Sequence, residues 1–137
     1  MQKIIFEHND IIEADRVMGI NVRDGAFVNE VIFKNIHAEY CHPNRKQTAI
    51  NFYITKRNSQ TSPLGKIKNI TIEDCSFVKA FPKKWAFFRH YSETQKNDLS
   101  VHLKNIFVGG KKIEEMDTKI FDPKKNNAEL SAIKQTT

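Results

Sequence analysis

The sequence predicts an all-β chain, a right-handed parallel β-helix forming a short solenoid of about four coils with loops between them. Three observations carry that prediction: segments that superimpose without gaps, strand-like alternation inside each segment, and weak helical periodicity along the chain.

The superimposable segments are Val28-Asn-Glu-Val-Ile-Phe-Lys-Asn35, Ile67-Lys-Asn-Ile-Thr-Ile-Glu-Asp74 and Leu103-Lys-Asn-Ile-Phe-Val-Gly-Gly110. Their first, fourth and sixth positions are Val28, Val31, Phe33; Ile67, Ile70, Ile72; and Leu103, Ile106, Val108. All are apolar, and the fourth and sixth alternate with the residue between, which is β periodicity. Ala38, Phe77 and Ile113 continue the match at the eleventh position. Each copy closes on Asn35, Asp74 or Gly110, types suited to bends and to left-handed backbone. The third position holds Glu30, Asn69 and Asn105, and stacked strands about 4.8 Å apart would let amides there bond up a ladder.

The copies are offset by 39 and then 36 residues, within the range of solenoid repeats. The length beyond a minimal coil falls in polar, turn-rich stretches at 41–47, 58–63 and 92–98. An earlier partial coil is legible in Lys3-Ile-Ile-Phe6, Asp10-Ile-Ile12 and Met18-Gly-Ile-Asn-Val22. Further strands are expected at Ala49-Ile-Asn-Phe-Tyr-Ile-Thr55 and Trp85-Ala-Phe-Phe-Arg-His-Tyr91. The coils are expected over residues 1–121, with a polar tail or cap over 122–137. The tail holds the one helical candidate, Ala128 to Lys134, too short to be stable alone. A β-sandwich is the runner-up, but its strands have no reason to share one residue-by-residue frame.

At 137 residues the chain is sized for one domain. No apolar stretch approaches the roughly 18 residues of a membrane span, so no membrane partner is expected. The opening Met-Gln-Lys-Ile-Ile-Phe-Glu-His reaches charge too early for a signal peptide. Secretion or a periplasmic location would follow only from a longer exported enzyme. The net charge of +6 favours anionic partners. Its lysines are scattered, with short pairs at 83–84, 111–112 and 124–125, which argues against a basic arm for nucleic acid. Cys41 and Cys75 have no metal spacing, and the stretch from His37 to His42 lacks a paired second half, so no metal or cofactor is expected.

The stretch Ala49-Ile-Asn-Phe-Tyr-Ile-Thr-Lys-Arg57, a loop, then Gly65-Lys-Ile-Lys-Asn-Ile-Thr-Ile-Glu-Asp-Cys-Ser-Phe77 resembles the C-terminal coils of polygalacturonase-like and dextranase-like glycoside hydrolases. In that family a Gly-Ile-Arg-Ile-Lys strand precedes a Gly-x-Val-x-Asn-Ile-x-Phe strand in the same way. Val101 to Ile113, with its Gly-Gly-Lys-Lys-Ile close, looks like the last coil of many bacterial members, and the likeness spans roughly residues 4–121. The resemblance implies the C-terminal part of a polysaccharide-degrading enzyme acting on a pectin- or dextran-type glycan. Its catalytic Asn-Thr-Asp, Asp-Asp and Gly-His-Gly motifs do not occur here, and Phe52-Tyr-Ile-Thr55 stands where the Arg-Ile-Lys strand would run. No catalytic role therefore carries over, and the active site is expected to be incomplete.

Glycoside hydrolysis needs two carboxyl groups across the scissile bond. Asp10 and Asp24, with Asp15 and Glu39 beside them in sequence, are the candidates because they lie in the earliest coils. For binding a polysaccharide, acidic ones included, the candidates are Lys56, Arg57, Trp85, Arg89 and His90. They offer ring faces and donors that suit sugars and carboxylates. The alternative expectation is a non-catalytic module for carbohydrate binding or self-assembly. An open first coil would leave strand edges unpaired, so association through coil ends is also expected.

Overall fold

The computed structural model describes residues 3–14, 16–41, 49–78, 86–89, 91, 99–113 and 129–131. Among these residues every regular element is a strand, so the chain is all-β. In order they are β1 (Ile4–Ala14), β2 (Met18–Arg23), β3 (Phe27–Cys41), β4 (Ile50–Thr55), β5 (Lys66–Phe77), β6 (Ala86–Arg89), β7 (Leu99–Val108), β8 (Lys111–Lys112) and β9 (Glu129–Ser131).

From β1 to β7, successive strands alternate between two sheets. The first has the order β1-β3-β5-β7-β8, with β9 also on β7, and the second has the order β2-β4-β6. All pairings are parallel except β7 with β8. Parallel neighbours require a crossover, and from β1 to β7 each one passes through the opposite sheet. The inward residues of both sheets meet in one core, with Phe33 of the first sheet stacked on Phe52 of the second at 6.0 Å between ring centres.

The long strands of the first sheet bend without turning their apolar face outward. Strict alternation cannot do this, because each added residue flips the side. The device is a residue in the left-handed region: Glu30, Asn35, Asn69, Asp74 and Asn105 have φ between 52° and 57°. At each such corner two consecutive side chains point away from the core. In β5 these are Lys68 with Asn69 and Glu73 with Asp74, while Ile67, Ile70, Ile72, Cys75 and Phe77 stay buried. Asn and Asp accept this backbone at lower cost than other L-residues, because the short polar side chain bonds locally.

The first two copies pair in the expected frame, with Val28 beside Ile67, Val31 beside Ile70 and Ala38 beside Phe77. The third does not. Leu103 lies beside Ile72 and Asn105 falls opposite Asp74, an offset of 31 residues in place of the expected 36. The frame is ambiguous because a left-handed residue followed by apolar-x-apolar recurs after five residues, at Asn69-Ile-Thr-Ile72 and again at Asp74-Cys-Ser-Phe77. Sliding by five keeps every apolar residue inside. The observed frame sets Leu99 beside Ile67 and Val101 beside Ile70, whereas the expected one leaves both hanging beyond the start of β5. A bulge absorbs the remaining mismatch there, and Ser100 Oγ accepts the Asn69 N–H at 3.0 Å.

The expected ladder among Glu30, Asn69 and Asn105 is replaced by two bonds to other positions of the repeat, because the third copy is shifted and Asn69 reaches Asn29. Asn69 Nδ2 donates to Asn29 Oδ1 and Asn105 Nδ2 donates to Asp74 Oδ1, each at 2.8 Å. Of the helical candidate in the tail, Glu129–Ser131 is instead a strand parallel to β7, and the rest of it lies outside the described residues. A segment that short cannot nucleate a helix alone, and the edge of β7 offers ready backbone partners.

Candidate functional site

The outer face of β2-β4-β6 collects the polar and aromatic groups best suited to hold a ligand. In β4, Ile50, Phe52 and Ile54 are buried, so Asn51, Tyr53 and Thr55 point to the other side. In β2, Met18 and Val22 are buried, which turns Gly19, Asn21 and Arg23 outward. In β6, Phe88 is buried and Arg89 exposed. Register joins these into rows: Gly19 with Asn51, Asn21 with Tyr53 and Arg89, and Arg23 with Thr55.

Several contacts fix this face. Thr55 Oγ1 donates to Asn21 Oδ1 and to the Val22 carbonyl, both at 3.3 Å. The Lys56 ammonium sits 4.8 Å from the centre of the Tyr91 ring, a cation–π contact at the exposed rim. A Cβ on Gly19 would come 2.8 Å from the Arg16 Cδ, so a larger residue there would make the Arg16 side chain shift. Arg16 Nε and Asn51 Oδ1 are both buried without a hydrogen-bond partner among the described residues.

Asp24 and Arg57 are brought together. The Arg57 N–H donates to Asp24 Oδ1 at 2.7 Å, and Arg57 Nε lies 3.7 Å from Oδ2. The Arg57 amide bond is the main reason the Asp24 carboxyl is held below its ordinary value. Partial desolvation opposes that shift, while Ser62 and the charges of Arg57 and Arg23 add to it. Asn58 organises the turn that follows: its Oδ1 accepts the N–H groups of Gln60 and Thr61, and its own N–H donates to Ser62 Oγ. Asp24 is thus an ionised anchor for the turn after β4, which disfavours it as a general acid. Arg57 contributes its backbone N–H to that anchor, while its side chain stays largely exposed.

Asp10 and Glu39 lie on the first sheet, on β1 and β3, both exposed. Asp10 is the cross-strand neighbour of His37, and His37 of Ser76. His37 Nδ1 and Ser76 Oγ are hydrogen bonded to each other. This row of Asp10, His37 and Ser76 was legible in principle, because 37 and 76 differ by the repeat offset of 39. All three lie along an outer sheet face. Trp85, His90, Asp15 and His42 lie outside the described residues.

The sequence candidates therefore separate. Arg89 stands on the β2-β4-β6 side as an exposed donor and the half-buried Lys56 lies just past β4, whereas Asp24 and the Arg57 amide serve the turn and Asp10 belongs to the other sheet. Tyr53 and Asn21 were missed. Their signal was strand alternation in Ala49–Thr55, which turns Tyr53 away from the buried Phe52 and Ile54. Such a face, with ring surfaces, guanidinium groups and amides, can bind hydroxyls and carboxylates in an extended ligand. It brings no two free carboxylates together among the described residues. No family model, curated protein or solved structure matches the chain.

Proposed function

We propose that this chain is the C-terminal portion of a polysaccharide-degrading enzyme built as a right-handed parallel β-helix, acting on a pectin- or dextran-type glycan. In this reading the outer face of β2-β4-β6 holds the glycan, and the paired carboxylates belong to coils that precede this portion. The observation that carries the reading is the row of Asn21, Tyr53 and Arg89, in register across three parallel strands. Strands about 4.8 Å apart space successive side chains closely enough to follow adjacent groups of an extended chain. The alternation of strands between two parallel sheets supports the β-helix assignment.

A second reading, a non-catalytic β-helix module for carbohydrate binding or self-assembly, draws support from the engagement of Asp24 by Arg57. A panel of acidic and neutral polysaccharides, assayed for binding and for release of reducing ends, tests both. Binding without new reducing ends is expected from this portion alone. Reducing ends released by it would overturn the incomplete site, and absence of binding to every glycan would overturn both sugar readings.

A further inference from the structure

Among the described residues Asn51 is the only polar residue that is buried, with 7% of its surface exposed. It lies on the outer side of β4, where polar groups ordinarily meet water. A strand runs on each side of it, with Gly19 of β2 as one cross-strand neighbour and Phe87 of β6 as the other. Its surroundings are therefore those of a sheet interior and owe nothing to a sheet edge. Asn51 Oδ1 is shut off from solvent and accepts no hydrogen bond among the described residues, a condition buried polar atoms rarely hold. The Arg16 Nε–H is in the same condition. The two belong to one place. Arg16 Cγ, Cδ and Nη1 all lie within 4 Å of where a Cβ on Gly19 would stand, and Gly19 and Asn51 are paired at a spacing of about 4.8 Å.

We infer that Asn51 and Arg16 form a hydroxyl-binding subsite, filled by a water in the free chain and by a sugar hydroxyl in the complex. An orphaned acceptor beside an orphaned donor calls for one group that both donates and accepts. A carboxylate would satisfy Arg16 and repel Oδ1, and an ammonium would satisfy Oδ1 and face the guanidinium charge. A hydroxyl satisfies both. For its sugar the subsite rests on the glycan reading. Asn51 stands two residues before Tyr53, about 6.6 Å along β4, so one sugar ring can reach it from the row of Asn21, Tyr53 and Arg89. What covers Gly19 is the flexible stem of Arg16, so entry needs a side-chain rotation and no backbone movement. The subsite selects for a hydroxyl at that position of the ring, because a deoxy position leaves both atoms unpaired.

In the free labelled chain, the Asn51 side-chain amide protons are expected to show cross-relaxation with a long-lived water. Isomaltotriose or trigalacturonate, whichever binds, is expected to shift those resonances and remove the water signal. Asn51→Leu removes the acceptor at similar volume. It is expected to bind that trisaccharide at least about tenfold more weakly. Its urea midpoint is expected not to fall, because Oδ1 holds no partner among the described residues. Equal binding by parent and variant would overturn the inference. So would a lower midpoint in the variant, which would make Asn51 a structural residue. If neither trisaccharide binds the parent, the glycan reading fails and the water signal alone decides the subsite. Its presence upholds the hydroxyl site, and its absence overturns it.

Discussion

The Asn105 side-chain amide donates to the Asp74 carboxylate at 2.8 Å, and the two residues hold the same left-handed corner on neighbouring strands. The bond and the backbone demand different things of position 105. Glycine meets the backbone demand alone, alanine meets neither, and valine adds a branched Cβ that resists positive φ. Stability is therefore expected to fall in the order Asn105, Gly, Ala, Val. Asn105→Gly should cost about 1–2 kcal/mol for the lost charged bond. Asn105→Ala should cost about 1 kcal/mol more for the strained backbone. Urea unfolding of the three variants measures the order.

The frame of β7 has its own test. Thr71 and His102 are direct neighbours, whereas the frame expected from the repeat would set Thr71 beside Phe107. Parallel neighbours about 4.8 Å apart lie within the Cα range of a disulfide. Thr71→Cys with His102→Cys should oxidise readily, and Thr71→Cys with Phe107→Cys should not. Peptide mapping after mild oxidation distinguishes the two pairs.

Asp24 should lend the fold a pH dependence of known sign. Its folded value lies below 3.8 because the charged form accepts the Arg57 amide. The stabilisation is therefore present above the unfolded value and lost as pH falls through the folded one. Asp24→Asn should unfold more easily than the parent at neutral pH, and the difference should shrink in acid. Exchange at the Arg57 amide should quicken in the variant at neutral pH.

Cys75 should be inert to thiol reagents in the folded protein. Burial is the main cause that pushes its thiol up to about 11 from 9.0. Little thiolate then exists at mildly alkaline pH, and thiolate is the reactive form. The same shift makes the fold lose stability as pH rises from 9.0 towards 11, because only the unfolded chain ionises there. Labelling at pH 8 should modify Cys75 slowly, and denaturant should remove the difference.

These relationships differ in how far the sequence announced them. The pairing of Val28 with Ile67 was legible because seven of eight consecutive positions stay apolar or polar alike between the first two copies, Ile32 against Thr71 being the exception. The place of Leu103 was not, since a slide of five residues preserves the same inward face and only Leu99 and Val101 break the tie. Asp24 looked like a free acid because nothing local predicts a bond to an amide 33 residues away. Lys56 and Arg57 looked equivalent as adjacent cations, yet one rests on Tyr91 and the other on Asp24. The missed residue, Tyr53, carries no charge or motif and is marked only by the side of the strand it occupies.

The most direct test of the functional account is an amide chemical-shift titration of the labelled chain with the oligosaccharide that the polysaccharide panel selects. Shifts are expected to cluster at Asn21, Tyr53 and Arg89 on the outer face of β2-β4-β6, and Arg89→Ala should weaken the binding. Shifts confined to the Asp10, His37 and Ser76 row of the first sheet, or saturable binding untouched by Arg89→Ala, would contradict it.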